Sequence, residues 1–342
     1  MEMDADTFLV AVYTVVDDLY RTHYAPHKPI RRGRPPQLAD SEVLTLMLLC
    51  QWRQDRSQAA FVRWVHAHRL ADFPAMLTPT AFGRRVRDLT GVLCQLGPLI
   101  SQQLGVLVGT PQYEIIDAVP VPLMRRCRGE RHRLFGAEAA VGRGGSDAHW
   151  YYGCSLCDVV LADGVISGFV VGPASTNERW LAECLYRWRL DPWAPQPESE
   201  ELAAVLGRRH RHDRIGPTGP IRGRQAVGMP TTPYVLADAG FVGQLWQTHW
   251  QQCYGMRLVT HADADLTPAA RAVLRPRYAA ARQLIETVHS ILLGVFGLAY
   301  PRARSGWGLL VRLAAKVAAF NLAVYLNYLF GRPTLSIFNP LD

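Results

Sequence analysis

The sequence predicts an α/β protein in which an all-helical N-terminal region precedes a mixed sheet flanked by helices. Up to about residue 110, apolar residues recur at helical spacing and no strand pattern stands out. From Tyr113 onward, short apolar runs typical of strands alternate with helical segments. The chain has 342 residues and is 49% apolar, which is ample for a large buried core.

Four helices are predicted in the N-terminal region. The first ends at a proline- and arginine-rich segment that is typical of a basic linker, and Asp40 or Ser41 is predicted to cap the second. Their predicted ranges are 4–24, 42 to about 52, 58–68, and from Pro79 onward.

The strand-rich region is predicted to open with β-type runs. The runs at 151–161 and 165–171 flank Asp163-Gly164, a pair typical of a hairpin turn, and another run covers 114–121. Further strands are predicted at 235–237 and 256–260, and helices at 176–189, 243–252, 267–298 with an interruption near Pro276, and 309–330.

Two domains follow from this pattern, an N-terminal helical domain at 1–110 and an α/β domain at 111–342. The proline-rich, charged stretch 192–233 is predicted to be a loop insertion in the second. The apolar segment 308–330 contains Arg312, Lys316 and Asn321, which are costly inside a bilayer, so it is predicted to be a buried helix and no membrane contact is expected.

Composition favours an anionic partner and a reducing compartment. The formal net charge is +8 and the pI is about 9.3. The seven cysteines are scattered and the first residues are acidic, so a cytoplasmic location is expected. Cys154 and Cys157 form a single C-x-x-C inside an apolar run, where core packing is favoured over a metal or redox role.

Three carboxylates are the principal candidates for chemistry. Asp117 and Asp238 are each expected to end a short apolar strand, and Glu286 is expected on a helix. Carboxylates from distant segments suit Mg²⁺ or Mn²⁺, and two such ions activate the attacking oxygen and stabilise the leaving one in phosphoryl transfer. Each residue also has a structural interpretation: a turn or an ion pair with Arg125 for Asp117, a turn for Asp238, and an ion pair with Arg282 for Glu286.

Basic residues near these positions are candidate contacts for DNA. The fourth helix follows two shorter ones, as in a helix-turn-helix arrangement, and a solvated basic face is the alternative. A second arginine cluster follows the strand of Asp117 and is expected to start close to the metals. The candidate residues are Arg84, Arg85 and Arg87 on the helix, Arg125, Arg126 and Arg128 after the strand, and Arg282 and His289 near Glu286.

In the order and spacing of these motifs the chain resembles DDE-type bacterial insertion-sequence transposases. Asp117 is followed by a small residue and Pro-Val, Asp238 lies in Asp-x-Gly-Phe, and Glu286 lies in Arg-x-x-x-Glu. The segments 38–44 and 82–85 also resemble the helical leader of this family, and 315–328 resembles its closing helix.

The resemblance implies an RNase H-like mixed sheet and a nucleoid-associated enzyme that acts as a homo-oligomer on double-stranded DNA. Such an enzyme would bind the inverted-repeat ends of a mobile element, cleave them with metal ions held by Asp117, Asp238 and Glu286, and join them to target DNA. Basic family residues are replaced by Ala239 and Leu293, and the family tyrosine position is Ala279, with Tyr278 one place away. A DNA-binding transposase relic and a nuclease that cuts without joining are the alternatives.

Overall fold

The computed structural model describes residues 4–28, 33, 35–53, 55, 57–109, 111–132, 135–144, 149–198, 202, 220–223, 232–260, 267–337 and 341. Within this part of the chain, ten α-helices and a curled mixed sheet of six strands form an α/β fold. Most of the insertion expected at 192–233 lies outside the described residues, as do Arg31, Arg32 and Arg34 of the expected basic linker.

Five helices precede the first strand, and the four predicted from sequence are confirmed among them. Side chains outside the helices satisfy the first backbone N–H groups: Asp4 accepts from Thr7 N at 2.8 Å and Ser57 from Ala60 N at 3.1 Å. The five are α1 (Ala5–His23), α2 (Asp40–Arg53), α3 (Gln58–His68), α4 (Pro79–Asp88) and α5 (Thr90–Val108).

The capping role predicted for Asp40 is wrong. Asp40 is the first residue of α2, and its carboxylate accepts hydrogen bonds from Tyr20 Oη and Lys28 Nζ at 2.6 Å and from Arg85 Nη2 at 2.5 Å. The Asp40 carboxylate is therefore occupied by three side-chain donors from other segments and does not cap the helix. Glu42 Oε2 accepts from Ala39 N at 2.5 Å instead.

The sheet has the order β4-β3-β1-β5-β6, with β2 pairing beside β4 along the same edge of β3. Strand β3 is antiparallel to β1, whereas β1, β5 and β6 are mutually parallel. The predicted hairpin is confirmed between β3 and β4, and β2 was not predicted. The strands are β1 (Tyr113–Met124), β2 (Ala140–Gly144), β3 (His149–Leu161), β4 (Ile166–Pro173), β5 (Tyr234–Leu236) and β6 (Arg257–Val259).

Five more helices follow or flank the strands: α6 (Arg126–His132), α7 (Glu178–Leu190), α8 (Gln244–Tyr254), α9 (Pro268–Gly294) and α10 (Gly306–Leu329). The interruption predicted near Pro276 is wrong, because α9 is assigned as one helix through it. Proline removes one backbone hydrogen bond and crowds the carbonyl four residues earlier, but Pro276 is exposed, and the helix continues on either side of it.

Two apolar cores lie on opposite faces of the sheet. In the larger core, the five N-terminal helices, α9 and α10 pack against one face of the sheet. In the smaller core, α7 and α8 pack against the other face. Cys154 belongs to the larger core and Cys157 to the smaller, so their side chains leave opposite faces of β3 and cannot bind one metal ion together. The packing interpretation of the C-x-x-C is therefore favoured.

Helix α10 lies at the centre of the larger core, which confirms the buried helix predicted there. Asn321 is fully buried and satisfied: its amide donates to Gly97 O at 2.8 Å and to Ile166 O at 2.7 Å, and its oxygen accepts from Ile166 N at 2.9 Å. Only α5 and α10 of the described helices have the length and apolar composition of a membrane span, and α10 is almost entirely covered by protein. The boundary placed at residue 110 thus runs through one continuous core.

Candidate carboxylate site

Asp117 and Asp238 lie side by side on neighbouring parallel strands. Strands β1 and β5 pair in a register that sets Ile115 opposite Leu236, and each Asp comes two residues later on the same face. The two carboxylates line a shallow cleft between these strands and α9, to which α9 contributes Tyr278 and Arg282. The sequence therefore correctly placed two of its three carboxylates together.

The surroundings of Asp117 contain an excess of negative charge. Asp158 lies directly opposite Asp117 on β3, is fully buried, and its Oδ1 is 2.8 Å from Nε2 of His289. Burial raises the pKa of Asp117; His289 opposes this, while Asp158 and Asp238 add to it. Burial disfavours the charged form of His289, but Asp158, Asp117 and Glu286 outweigh it and raise the pKa of the imidazole.

A further carboxylate, Glu178, comes from the first turn of α7. Arg179 fixes this turn to the loop after β5, because its Nε donates to Gly240 O at 2.5 Å and its Nη2 to Val242 O at 2.9 Å. Crowding by protein atoms, and then the charges of Asp117 and Asp238, raise the pKa of Glu178 to about 7. The Glu178 side chain is itself exposed to solvent.

Glu286 occupies the position that its structural interpretation predicted. It is exposed on α9, and its Oε1 accepts from Arg282 Nε at 3.0 Å. Tyr278, Arg282 and Glu286 follow one another at intervals of four and so share one face of α9. Tyr278 therefore lies on the same face as Arg282 and Glu286, and its Oη donates to Ala237 O at 2.5 Å.

The donor chemistry of this site fits a hard divalent cation. Its acidic groups supply carboxylate oxygens, the ligands that such a cation prefers, and the carboxylates outnumber the cationic side chains beside them. In addition, Oδ2 of the buried Asp158 has no hydrogen-bond partner among the described residues. Within the same residues, no three His, Cys, Asp or Glu side chains lie close enough together to form a complete coordination group. Asp117 and Asp238 form the nucleus of the site, and Glu286 lies beside Arg282 at its edge.

The predicted DNA contacts on α4 are not equivalent. Arg84 and Arg87 are exposed, whereas Arg85 donates to Asp40 Oδ1 at 2.5 Å and to Leu38 O at 3.1 Å. Residues 69–78 separate α3 from α4, a longer connection than the turn of about three or four residues in a helix-turn-helix. Arg85 therefore stabilises the helical region, and a phosphate contact remains a prediction for the other two.

The second arginine cluster lies far along the sheet from Asp117. Asp117 does not end its strand as expected, because β1 continues to Met124. Arg125 therefore follows eight residues later, about 26 Å along an extended strand. Arg125, Arg126 and Arg128 are exposed, and the Arg126 guanidinium lies 5.2 Å from the Trp150 ring centroid. Along an extended strand this cluster is too distant to share the cleft of Asp117 and Asp238.

Two carboxylates of the site were missed from sequence. Asp158 interrupts the apolar run that follows Cys157, which is the same signal of a charge within a strand that identified Asp117. Glu178 gave no comparable signal, because an acidic residue in the first turn of a helix is common. No family model, curated protein or solved structure matches this chain.

Proposed function

We propose that this protein cleaves phosphodiester bonds of DNA with the help of Mg²⁺, as a DDE-type insertion-sequence transposase with an RNase H-like core. The observation that carries the proposal is the pair Asp117 and Asp238, set side by side by parallel strands and surrounded by unneutralised negative charge. A sheet interior favours such a group only where a cation or a proton balances it.

The topology supports the same proposal. The first carboxylate comes from the central strand β1, the second from the end of the parallel neighbour β5, and the third from α9, which packs over β1. This is the order and placement expected from the resemblance. Asp117 and Asp238 share one cleft with Arg282 of α9, and Glu286 follows Arg282 by one turn on the same helix, which supports the proposed set of three.

Asp117, Asp238 and Glu286 would hold the ions, as Mg²⁺ or Mn²⁺, with Asp158 and Glu178 adding negative charge around them. The bound ions would activate the attacking oxygen and stabilise the leaving oxygen. Arg282 lines the cleft beside Asp117 and forms an ion pair with Glu286. Its guanidinium can therefore orient both the Glu286 carboxylate and a phosphate of the substrate. The Asp158 carboxylate orients His289 through its Nε2.

Double-stranded DNA is the proposed substrate, both as element ends and as target, with a homo-oligomer acting on paired ends. The charge of +8 and the exposed Arg84, Arg87, Arg125, Arg126 and Arg128 support a polyanionic partner. These residues would position the DNA through its phosphates, and a nucleoid-associated location follows from the same proposal.

The test uses a duplex that carries the DNA flanking the gene, including any short inverted repeats within a few hundred base pairs. We expect Mg²⁺-dependent nicking that falls by roughly a thousandfold or more in Asp117→Asn and in Asp238→Asn, since each carboxylate contributes charge that the reaction needs. Binding measured by gel shift in the absence of cleavage should change little.

Asp163→Asn is the matched control, because Asp163 accepts from Val165 N in the β3–β4 turn, where Asn is equally suitable. Normal nicking by Asp117→Asn would refute the metal-site assignment. Nicking without joined products would indicate a nuclease, and specific binding of the ends without nicking by the wild type would indicate a DNA-binding relic.

A further inference from the structure

A cysteine, a histidine and a glutamate lie in series on the far side of the sheet from the larger core. Cys253 and His249 are one turn apart on α8, and Cys253 Sγ is 3.5 Å from His249 Nδ1. His249 Nε2 is 3.1 Å from both carboxylate oxygens of Glu183 on α7. Nucleophile, base and orienting carboxylate are thus each within contact distance of the next.

The contacts fix which imidazole nitrogen carries the proton. Glu183 is buried, and its Oε1 also lies 3.6 Å from Arg187 Nη2. Tyr254 Oη donates to the same carboxylate at 2.5 Å. An ionised carboxylate only accepts hydrogen bonds, so the proton between it and His249 lies on Nε2. Nδ1 then faces the thiol with its lone pair and accepts the proton when the thiolate forms.

The position of the pair on α8 makes Cys253 depend on its neighbour. Cys253 and His249 lie in the last two turns of α8, where the backbone carbonyls carry partial negative charge, so the helix end gives a thiolate no support. His249 is held beside Cys253 by two contacts: its Nε2 is 3.1 Å from Glu183 Oε2, and its ring stacks on Trp246 with the centroids 5.5 Å apart. Any activation of the thiol therefore comes from this histidine.

The other cysteines show what distinguishes this one. Cys94, Cys154, Cys157 and Cys184 are buried and Cys50 is largely so, and burial raises the pKa of the Cys94 and Cys154 thiols to about 12. Cys127 is the only other exposed cysteine of the seven, all of which are described. No described His contacts Cys127, and Arg126 and Arg128 flank it in the sequence, so it is a stringent comparison: an exposed thiol beside cations that lacks a histidine base.

We propose that Cys253 is a site of reversible thiol modification that reacts with low-molecular-weight disulfides. His249 takes the proton of the Cys253 thiol, and the thiolate attacks one sulfur of the disulfide. A new S–S bond forms as the old one breaks, and the departing thiolate takes up a proton. One disulfide is consumed and one is formed, with no other oxidant. This inference is independent of the proposed function.

The test compares two single variants of the full chain with oxidised glutathione and follows the mixed disulfide by intact mass spectrometry. Cys127→Ser leaves Cys253 as the exposed thiol, and Cys253→Ser leaves Cys127. At pH 7 we expect Cys253 to react about tenfold faster, since an ordinary thiol is only a few per cent thiolate at that pH. Between about pH 6.5 and 8.5 the rate at Cys253 should rise less than about threefold, and that at Cys127 more than tenfold.

Substitutions in the Cys127→Ser background then identify the base. His249→Asn should reduce the Cys253 rate to that of Cys127, whereas Tyr254→Phe, which removes a different hydrogen bond to Glu183, should leave it within about twofold. The pH profile needs no change at His249, so it decides the question even if His249→Asn does not fold. Equal rates and parallel pH profiles for Cys253 and Cys127 would overturn the proposal.

Discussion

Two acidic residues three positions apart on β1 have opposite electrostatic surroundings. Glu114 is fully buried, and Arg189 reaches both of its oxygens from Nη1 at 3.0 and 3.2 Å, while Tyr186 also donates to it. Asp117 leaves the other face of the strand toward Asp158 and Asp238, whose charges add to the effect of burial on its pKa; His289 opposes them, and Arg282 lies in the same cleft. The first carboxylate is paired with its own arginine, whereas the second shares two cations with several other carboxylates.

The difference separates charge that holds the fold together from charge that is left for a ligand. A buried carboxylate whose two oxygens both accept from an arginine is balanced by the protein, so Glu114 needs no ligand from solution. Carboxylates that lie beside one another raise each other's pKa, because each disfavours the charged form of the next. A bound cation relieves this repulsion and stabilises the ionised forms. The same strand therefore carries a structural acid on one face and a candidate ligand on the other.

Breaking the neutralised side should have the largest effect. Arg189→Met leaves the Glu114 carboxylate buried without its cation, and we expect the free energy of unfolding to fall by about 3 to 5 kcal/mol. Urea denaturation followed by circular dichroism measures it. The double variant Glu114→Gln/Arg189→Met should recover most of the loss, and a double variant as unstable as the single one would show that packing, not charge, was responsible.

The carboxylates around Asp117 should respond to added metal, with a smaller effect on the free energy of unfolding. Saturating Mg²⁺ at about ten times its Kd should add about 1.4 kcal/mol to the free energy of unfolding of the wild type, because it binds only the folded site. Asp117→Asn should lose this gain and should be at least as stable as the wild type without metal, since one repelling charge is gone. An equal gain in Asp117→Asn would remove the site from consideration, and Asp163→Asn is the control that should keep it.

The pH dependence of stability should reveal the repulsion among these carboxylates, with a still smaller effect. The pKa of Glu178 rises from 4.5 to about 7 on folding, so its contribution to stability is fully present below about pH 4.5 and is lost as the pH rises through 7. We expect the wild type to lose stability relative to Glu178→Gln between pH 5 and pH 7, by less than about 1 kcal/mol because solvent reaches the residue. Unfolding curves at several pH values measure the difference, and parallel profiles would contradict the assigned charge coupling.

The smallest change in stability should accompany the substitution that best separates structure from function on α9. Glu286 and Arg282 are both more than half exposed, so Glu286→Gln should change the free energy of unfolding by less than about 0.5 kcal/mol. If Glu286 is a ligand, nicking is nevertheless abolished. Full activity with unchanged stability would leave Glu286 as an ordinary surface residue and would limit the site to its neighbours on the sheet.

Periodicity and turn residues were enough to predict most helices and strands. The α3 range and the β3–β4 turn agree closely with prediction, because each rests on local chemistry: Ser57 at the helix start and Asp163-Gly164 at the turn. Strand β2 was missed because two of its five residues are glycine and it lacks an apolar alternation, and it is held by pairing with β3. The extent of the larger core was missed because no local pattern reveals which distant helix α10 packs against.

The site was predicted in part for the same reason. Asp117 and Asp238 carried motifs, whereas the importance of Asp158 depends on register, since only the antiparallel pairing of β1 with β3 sets it opposite Asp117. Glu178 enters through a tertiary contact of Arg179 with the loop after β5. Arg85 shows the converse, because a basic residue in a promising motif pairs with Asp40 from a segment 45 positions earlier.

The burial of α10 has a consequence for how the chain is made. Apolar faces of α2, α4 and α5 are covered by a helix that begins at residue 306, about 200 residues after α5 ends. A ribosome adding about 5 to 20 residues per second needs roughly 10 to 40 s to reach it. During that interval the nascent N-terminal helices expose the apolar faces that α10 later covers. We therefore expect synthesis of this protein to depend on chaperones that bind the growing chain until α10 emerges.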